Sequence, residues 1–371
     1  MPYYIGDVIK DYNKLVIRTP EAFGKTGINV KIKTRVDDID PQKGLVRLSD
    51  DSSIPYDILV MATGANAARL DIPGADLAGV FVLRNLTDAL RIKSYLTEKK
   101  CRKAVLIGGG FIVMEMCEAL RNLGIETTVM VRGCRPVTRW DVGLTDVIVD
   151  ELKKNEVSFI PETKFLAIER GTSGHLVLKT DKGDVDADVI LMGVGIRRDN
   201  TLTRAAGIEL GESGAIKVDF RQQTSIPGIY AVGDCCEVFH KVARRWVYLP
   251  LGDIANKQGR VAGQNIGGHP VEFPGVVGAQ SFKVFSLEVG AAGLTEKEAA
   301  GYGFQPTSAM IQGLPVGRPM SSGEKLWLKL VADKTTGKLL GGQCVGAKGA
   351  IQRIYALSVA LWSGLSIEEV G

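Results

Sequence analysis

Apolar positions in this chain fall into short, continuous runs that end in glycine and pass into stretches with helical three-to-four-residue spacing. That strand–turn–helix pattern predicts an α/β fold. Early in the chain it places a helix, a strand near Ile28–Val36, a hairpin through Asp50 to Ser53, and a strand through Ile58, Leu59 and Val60. The β-branched run before Gly64 is too short for a core helix and is read as a buried strand. A second block reads as a strand from Ala104 to Ile107, a glycine turn, a helix ending near Gly124 and a strand over Thr127–Val131. Val189–Met192 and Ile229–Val232 are two more buried strands. From about Gly275 the pattern changes to alternating strands, Ser281–Gly290 and Lys325–Asp333, with a turn at Lys334–Gly337. Thr295 with Glu298 and Ser366 with Glu369 are capping-box pairs, and Ala350–Trp362 is amphipathic.

Composition narrows the class. At 371 residues the chain exceeds what one core usually organises, so two or three domains are expected. A net charge of +4 on 46 basic and 42 acidic side chains gives no broad basic surface, which argues against nucleic acid as a partner. No apolar run approaches the roughly 20 residues of a membrane helix, and the start MPYYIGDVIKDYN has no leader character, so a cytoplasmic protein with no membrane partner is expected. The six cysteines, Cys101, Cys117, Cys134, Cys235, Cys236 and Cys344, show neither C-x-x-C nor metal-site spacing. Cys117 lies on the apolar face of a predicted helix. The adjacent pair Cys235 and Cys236 leaves a redox role open. None of His175, His240 and His269 sits in a nucleophilic or metal motif, so no metal site and no hydrolase are indicated.

The chemistry is concentrated in KAVLIGGGFIVMEMCEALRNLG, residues 103–124. Gly108 permits the tight turn after a strand, Gly110 lets backbone approach a pyrophosphate, and the following helix N-terminus supplies N–H donors and the positive dipole end. The third small position of this fingerprint is Val113, whose extra volume is expected to push the helix away or force local repacking. After the next strand, an NAD site carries an acid for the ribose 2′-hydroxyl, whereas an NADP site carries arginine for the 2′-phosphate. Here Val131 is followed by Arg132, Arg135 and Arg139, with no acid. The guanidinium fork matches phosphate oxygens, so NADPH is favoured over NADH.

Met1–Gly6 (MPYYIG), Ala62-Thr63-Gly64, the glycine turn, VILMGVGIRRDN, the string from Thr224 through Asp234 and YLPLGDIANKQGRVAGQNIGG together resemble the flavin disulfide reductase superfamily. The match is to its coenzyme A disulfide reductase, NADH oxidase and polysulfide reductase branch. The resemblance implies two Rossmann-like nucleotide-binding domains, the FAD one incomplete, and an α+β dimerisation domain. Its boundaries are 1–85 for the first FAD part, 86–207 for the NAD(P) domain, 208–274 for the second FAD part and 275–371 for dimerisation. It further implies FAD contacts from Ala62, Thr63, Gly64, Gly233, Asp234, Leu251, Gly252 and Ala255. Nucleotide contacts follow at Gly108, Gly110, Phe111, Ile112, Glu115, Arg132, Arg139 and Gly195, with Arg135 or Arg139 beside Arg132. Asp253 replaces a small or hydroxyl residue and Arg198 a proline. In the family a cysteine two residues before the position of Met1 carries the thiol chemistry, so none of the six present is expected to be catalytic and the chain reads as truncated at both ends. The implied activity is FAD-dependent NAD(P)H reduction of a small disulfide or polysulfide by a homodimer. Reduction of oxygen, or a silent NADPH-binding remnant, is the alternative.

Overall fold

The computed structural model describes residues 1–317, 319 and 323–370, so Gly371, the end of the expected dimerisation domain, lies outside the described residues. The chain forms two compact units.

The larger unit comprises residues 1–15, 67–196 and 279–371. Its centre is a five-stranded parallel sheet in the order Val80–Val82, Val189–Met192, Lys103–Ile107, Glu126–Met130 and Val157–Ile160. The two middle strands are apolar on both faces, as a sheet covered on both sides requires. Leu86–Glu98, Phe111–Asn122 and Val142–Lys154 are the helices of this region; the first starts with an Asn85–Asp88 capping box. The same unit contains a five-stranded antiparallel sheet in the order Gln280–Val284, Leu287–Gly293, Leu339–Gly346, Leu326–Asp333 and Pro306–Gly313. Helix Ala350–Ser363 packs across its central strands with Ile354, Leu357 and Leu361 buried. The Thr295–Glu298 capping box forms, and so does the Ser366–Glu369 pairing. One continuous apolar core includes Met114, Leu120 and Leu144 with Phe282, Val284 and Val289, so the parallel and antiparallel sheets share a core.

The smaller unit comprises residues 16–66 and 197–278. It holds an antiparallel sheet of Val36–Asp40, Leu45–Leu48 and Ser53–Pro55, and a parallel pair, Leu59–Met61 with Ile229–Ala231. Helix Gly252–Ile266 completes it. Two expectations change here. Residues 28–35 are not a strand: the apolar side chains alternate, but regular pairing starts only at Val36, flanked by one bond from Ser49 N to the Arg35 carbonyl at 2.9 Å. Ile58 and Val60 are 42% and 41% exposed, so that strand buries one face, through Met61, and not two. The apolar run is a correct strand signal. Burial of both faces needs covering elements, which the strand's own sequence does not supply.

Candidate functional site

The Lys103–Ile107 strand runs into Gly108, whose φ of 115° is a left-handed conformation that glycine adopts without strain. A Cβ there would lie 2.2 Å from the Gly193 carbonyl oxygen. Gly110 is the N-cap of helix Phe111–Asn122 and has no side-chain cap; a Cβ on it would meet only open space. The first N–H groups of a twelve-residue helix therefore face an open cavity with no acceptor of their own among the described residues, which is the arrangement that holds a phosphate. That cavity, about 380 Å³, is lined by Gly108, Gly110, Phe111, Arg132, Arg135, Arg139 and Gly195 among others, and no carboxylate is among its lining residues.

Val113 does fit. It is 3% exposed, and its Cγ2 lies 2.3 Å from where a Cβ on Gly193 would be. The space usually released by a small residue on the helix is released here by Gly193 at the end of the neighbouring strand. The absence of a side chain at Gly193, eighty residues away, leaves the room that Val113 fills, which pattern reading along the helix does not reveal.

The three arginines have distinct surroundings. Arg132 is exposed and makes no ion pair among the described residues. Arg135 pairs with Asp146 of helix Val142–Lys154. Arg139 donates from Nη2 to the Gly293 carbonyl at 2.8 Å and pairs through Nε with Glu298 at 3.3 Å. The loop that carries them closes on the glycine turn: Val137 N donates to Gly109 O at 2.7 Å, and Pro136 lies against Gly109. Val137 is buried with φ 42°, an outlying conformation for a β-branched residue, so the surrounding contacts hold it there. Phe111 stacks on Phe282 at 5.4 Å and meets Trp140 edge-on at 6.2 Å.

Glu115 and Ile112 do not line this cavity. Glu115 faces a separate crevice with Tyr3, Gly6, Glu118 and Asn122, where burial raises its pKa and Glu118 adds to the rise. Gly195, φ 107°, accepts from Ala68 N at 3.0 Å, which fixes the turn at the cavity edge.

In the smaller unit the residues expected to contact FAD converge. Val232 N donates to Met61 O at 3.0 Å, bringing Ala62, Thr63 and Gly64 beside Gly233 and Asp234. A Cβ on Gly233, φ 80°, would be 3.3 Å from the Ala255 side chain, and Gly233 N donates to Gln258 Oε1 at 3.0 Å. Leu251 caps helix Gly252–Ile266 without a side-chain bond, so Asp253 is an exposed first-turn acid and not the cap. The free N–H groups of that helix, the partly exposed Asp234 and the exposed Ala62–Thr63 backbone are the donor and acceptor types a flavin's ribityl and pyrophosphate groups need, so these residues fit FAD. Tyr248 donates to Asp234 O at 3.0 Å, and Arg198 lies 4.2 Å from the Tyr248 ring. The arginine that replaces the family's proline therefore braces this turn by a contact that sequence spacing does not show.

Cys235 and Cys236 are 3% and 4% exposed. Cys235 Sγ is 3.3 Å from Val232 O, and Cys236 Sγ is 3.6 Å from Gln258 Oε1. The adjacent Cys236 side chain pulls Cys235 down to about 6, and Cys235 together with burial pushes Cys236 up. Cys134, in the arginine loop, is the exposed cysteine.

Residues 3–259 match the sequence profile of the family described as "Pyridine nucleotide-disulphide oxidoreductase", and residues 279–371 match that family's dimerisation domain. The chain is 35% identical over 372 residues to a CoA-dependent NAD(P)H sulfur oxidoreductase of Pyrococcus furiosus, covering 99% of this chain and 83% of the relative. It resembles the structure of an NAD-dependent persulfide reductase from A. fulgidus with a TM-score of 0.95 at 32% identity, over 99% of this chain and 70% of the other. It also resembles an engineered, NADPH-bound variant of the water-forming NADH oxidase of Lactobacillus brevis, with a TM-score of 0.93 at 26% identity, over 99% and 82% of the two chains. Among the described residues, no helix is long and apolar enough to cross a membrane. A glycine turn opening on an arginine-lined cavity, a flavin-compatible turn around Asp234 and these matches place the chain in the pyridine nucleotide-disulfide oxidoreductase family, whose members use FAD and NAD(P)H.

Proposed function

We propose that this chain is an FAD-dependent oxidoreductase that draws electrons from NADPH in preference to NADH and delivers them to disulfide or polysulfide sulfur. The observation that carries the cofactor preference is the cavity wall: three arginines line it, no carboxylate does, and Arg132 is exposed and unpaired among the described residues. A carboxylate would serve the 2′-hydroxyl of NADH and repel the 2′-phosphate of NADPH; this wall does the reverse. The engineered oxidase supports the same reading. Its five substitutions turned an NADH oxidase into an NADPH oxidase; two remove an aspartate and install arginine at the next position, and a third replaces a glycine eighteen residues before that aspartate. In this chain the residues at the same spacings are Val131, Arg132 and Val113.

The sulfur acceptor is argued from the relatives, a CoA-dependent sulfur oxidoreductase and a persulfide reductase. FAD, when bound, would supply the two-electron relay between nicotinamide and sulfur. The chain's own residues would hold it: Asp234 and the Thr63–Gly64 turn would receive the ribityl and pyrophosphate groups, and the N-terminus of the helix starting at Gly252 would favour negative charge placed before it. Cys235 and Cys236, the cysteines beside the flavin turn, are buried with their thiols directed at Val232 O and Gln258 Oε1, so neither is assigned as the electron acceptor. The dimerisation-domain match supports a homodimer.

The test is a titration of NADPH and NADH against wild type and Arg132→Ala, followed by nicotinamide fluorescence. Charge-assisted contacts of this kind contribute on the order of 1.5 to 3 kcal/mol, about one to two decades in affinity. The wild type should bind NADPH that much more tightly, and the variant should lose most of the difference. Equal wild-type affinities would refute the preference. With FAD added, NADPH oxidation should depend on coenzyme A disulfide or polysulfide; oxidation driven by oxygen alone would move the chain to the oxidase alternative.

A further inference from the structure

The loop that closes the nucleotide cavity is fastened to the C-terminal antiparallel sheet region at consecutive residues. Arg139 reaches the Gly293 carbonyl and Glu298; Trp140 Nε1 donates to Gly290 O at 3.3 Å; Asp141 N donates to Gln343 Oε1 at 2.9 Å. The Asp141 carboxylate pairs with Lys329 at 2.8 Å, and Lys329 pairs with Glu296 at 2.9 Å. Two residues before Arg139, Val137 carries the left-handed backbone conformation, which persists only where its surroundings over-determine it. The Arg139 guanidinium is itself incompletely satisfied, because Nη1 is buried with no acceptor among the described residues. Its placement therefore depends on the two partners it has. Glu298 is itself held rigidly. Its Oε2 accepts from Thr295 N at 2.9 Å in the capping box, which locks the carboxylate, while Oε1 faces Arg139.

We infer that Glu298, with the Gly293 carbonyl, is a positioning residue for the dinucleotide cavity: it holds Arg139, and through it the wall from Val137 to Trp140, in the conformation that accepts the nucleotide. The inference rests on reading the cavity as a nucleotide site, and it assigns part of that site's affinity to a domain that does not touch the nucleotide. Freed from Glu298, the wall would occupy other conformations, and apparent affinity falls by the fraction that remains competent. Because Glu298 acts on the wall and not on the 2′-phosphate, it should affect NADPH and NADH alike.

Glu298→Gln tests this, since glutamine keeps the capping interaction and removes the charge. The expected result is that Kd for NADPH and for NADH rises by the same factor, about three- to tenfold, at an unchanged melting temperature. Arg139→Lys, which keeps the charge but cannot span both acceptors, should behave the same way, and the double variant should be no weaker than the weaker single. Unchanged affinities in Glu298→Gln, or effects of the two substitutions that simply add, would overturn the inference. A wild-type NADPH to NADH ratio of one would instead remove the cofactor preference and leave the positioning role standing, so the two readings fail separately.

Discussion

Replacing Gly193 by alanine tests the packing that lets Val113 occupy a position usually given to a small residue. The new Cβ would lie 2.3 Å from Val113 Cγ2, whereas carbon atoms in contact normally stand about 3.5–4.0 Å apart. The overlap is therefore more than an ångström. It has no easy outlet, because Val113 is 3% exposed and a valine in a helix strongly prefers one χ1 rotamer. Overpacking of this kind costs about 1–3 kcal/mol. Val113→Ala alone should also destabilise, by about 1.5–3 kcal/mol, from two buried methyl groups at ~0.8 kcal/mol each plus the cavity they leave. The two changes together should cost much less than their sum, because the methyl on residue 193 would then lie 3.8 Å from the residue 113 Cβ, an ordinary contact. Urea unfolding of wild type, both singles and the double variant gives the coupling energy, expected at 1 kcal/mol or more in the favourable direction (roughly the lower bound of the overpacking cost). Additive effects, or a neutral Gly193→Ala, would refute the claim that these residues share one space.

Two further outcomes follow from the same structure. A thiol reagent such as 5,5′-dithiobis(2-nitrobenzoate) should find one rapidly reacting cysteine in the native protein, Cys134, and NADPH should slow that reaction as its phosphate docks beside Arg132; the other cysteines are buried, with burial pushing Cys101 and Cys344 up to about 11. Rapid reaction of a second thiol would mean that access to the Cys235–Cys236 pair is wider than its burial indicates. Glu296, held below its ordinary 4.5 by hydrogen bonds from Lys329 and Ser308, contributes stability that is present above the unfolded-state value and lost as pH falls through the lower folded-state value. Acid unfolding should therefore be shallower below about pH 4.5 in Glu296→Gln than in wild type; superimposable profiles would show that the Lys329–Glu296 pair adds nothing to stability.

What can be read along the chain is what depends on local order. Strand, glycine turn and helix from Lys103 to Asn122 are a contiguous pattern, and so are the capping boxes at Thr295 and Ser366, because each is built from residues three or four positions apart. The two early strands depart from expectation for the complementary reason. Alternating Ile28, Val30 and Ile32 is a strand pattern, but a strand exists through its partner, and pairing begins only at Val36. Ile58 and Val60 have the composition of a doubly covered strand, yet coverage belongs to other parts of a fold.

The arginine loop shows most clearly where reading by position stops. Arg132, Arg135 and Arg139 are equivalent as a basic cluster in sequence, and their chemistry is the same. The fold separates them by what stands opposite: open cavity for Arg132, Asp146 for Arg135, and for Arg139 a carbonyl and a carboxylate more than 150 positions later. A guanidinium already engaged by Glu298 gains less from a phosphate than a free one, since the new contact must replace or share an existing charge-assisted bond. Selectivity between the two nucleotides is accordingly concentrated on Arg132, while Arg139 governs how well either nucleotide is held. Removing Arg132 should thus change the ratio of the two affinities, and loosening Arg139 should change both affinities at a constant ratio. An Arg139 variant that altered the ratio more than Arg132→Ala would reverse this division and identify Arg139 as the residue that reads the 2′-phosphate.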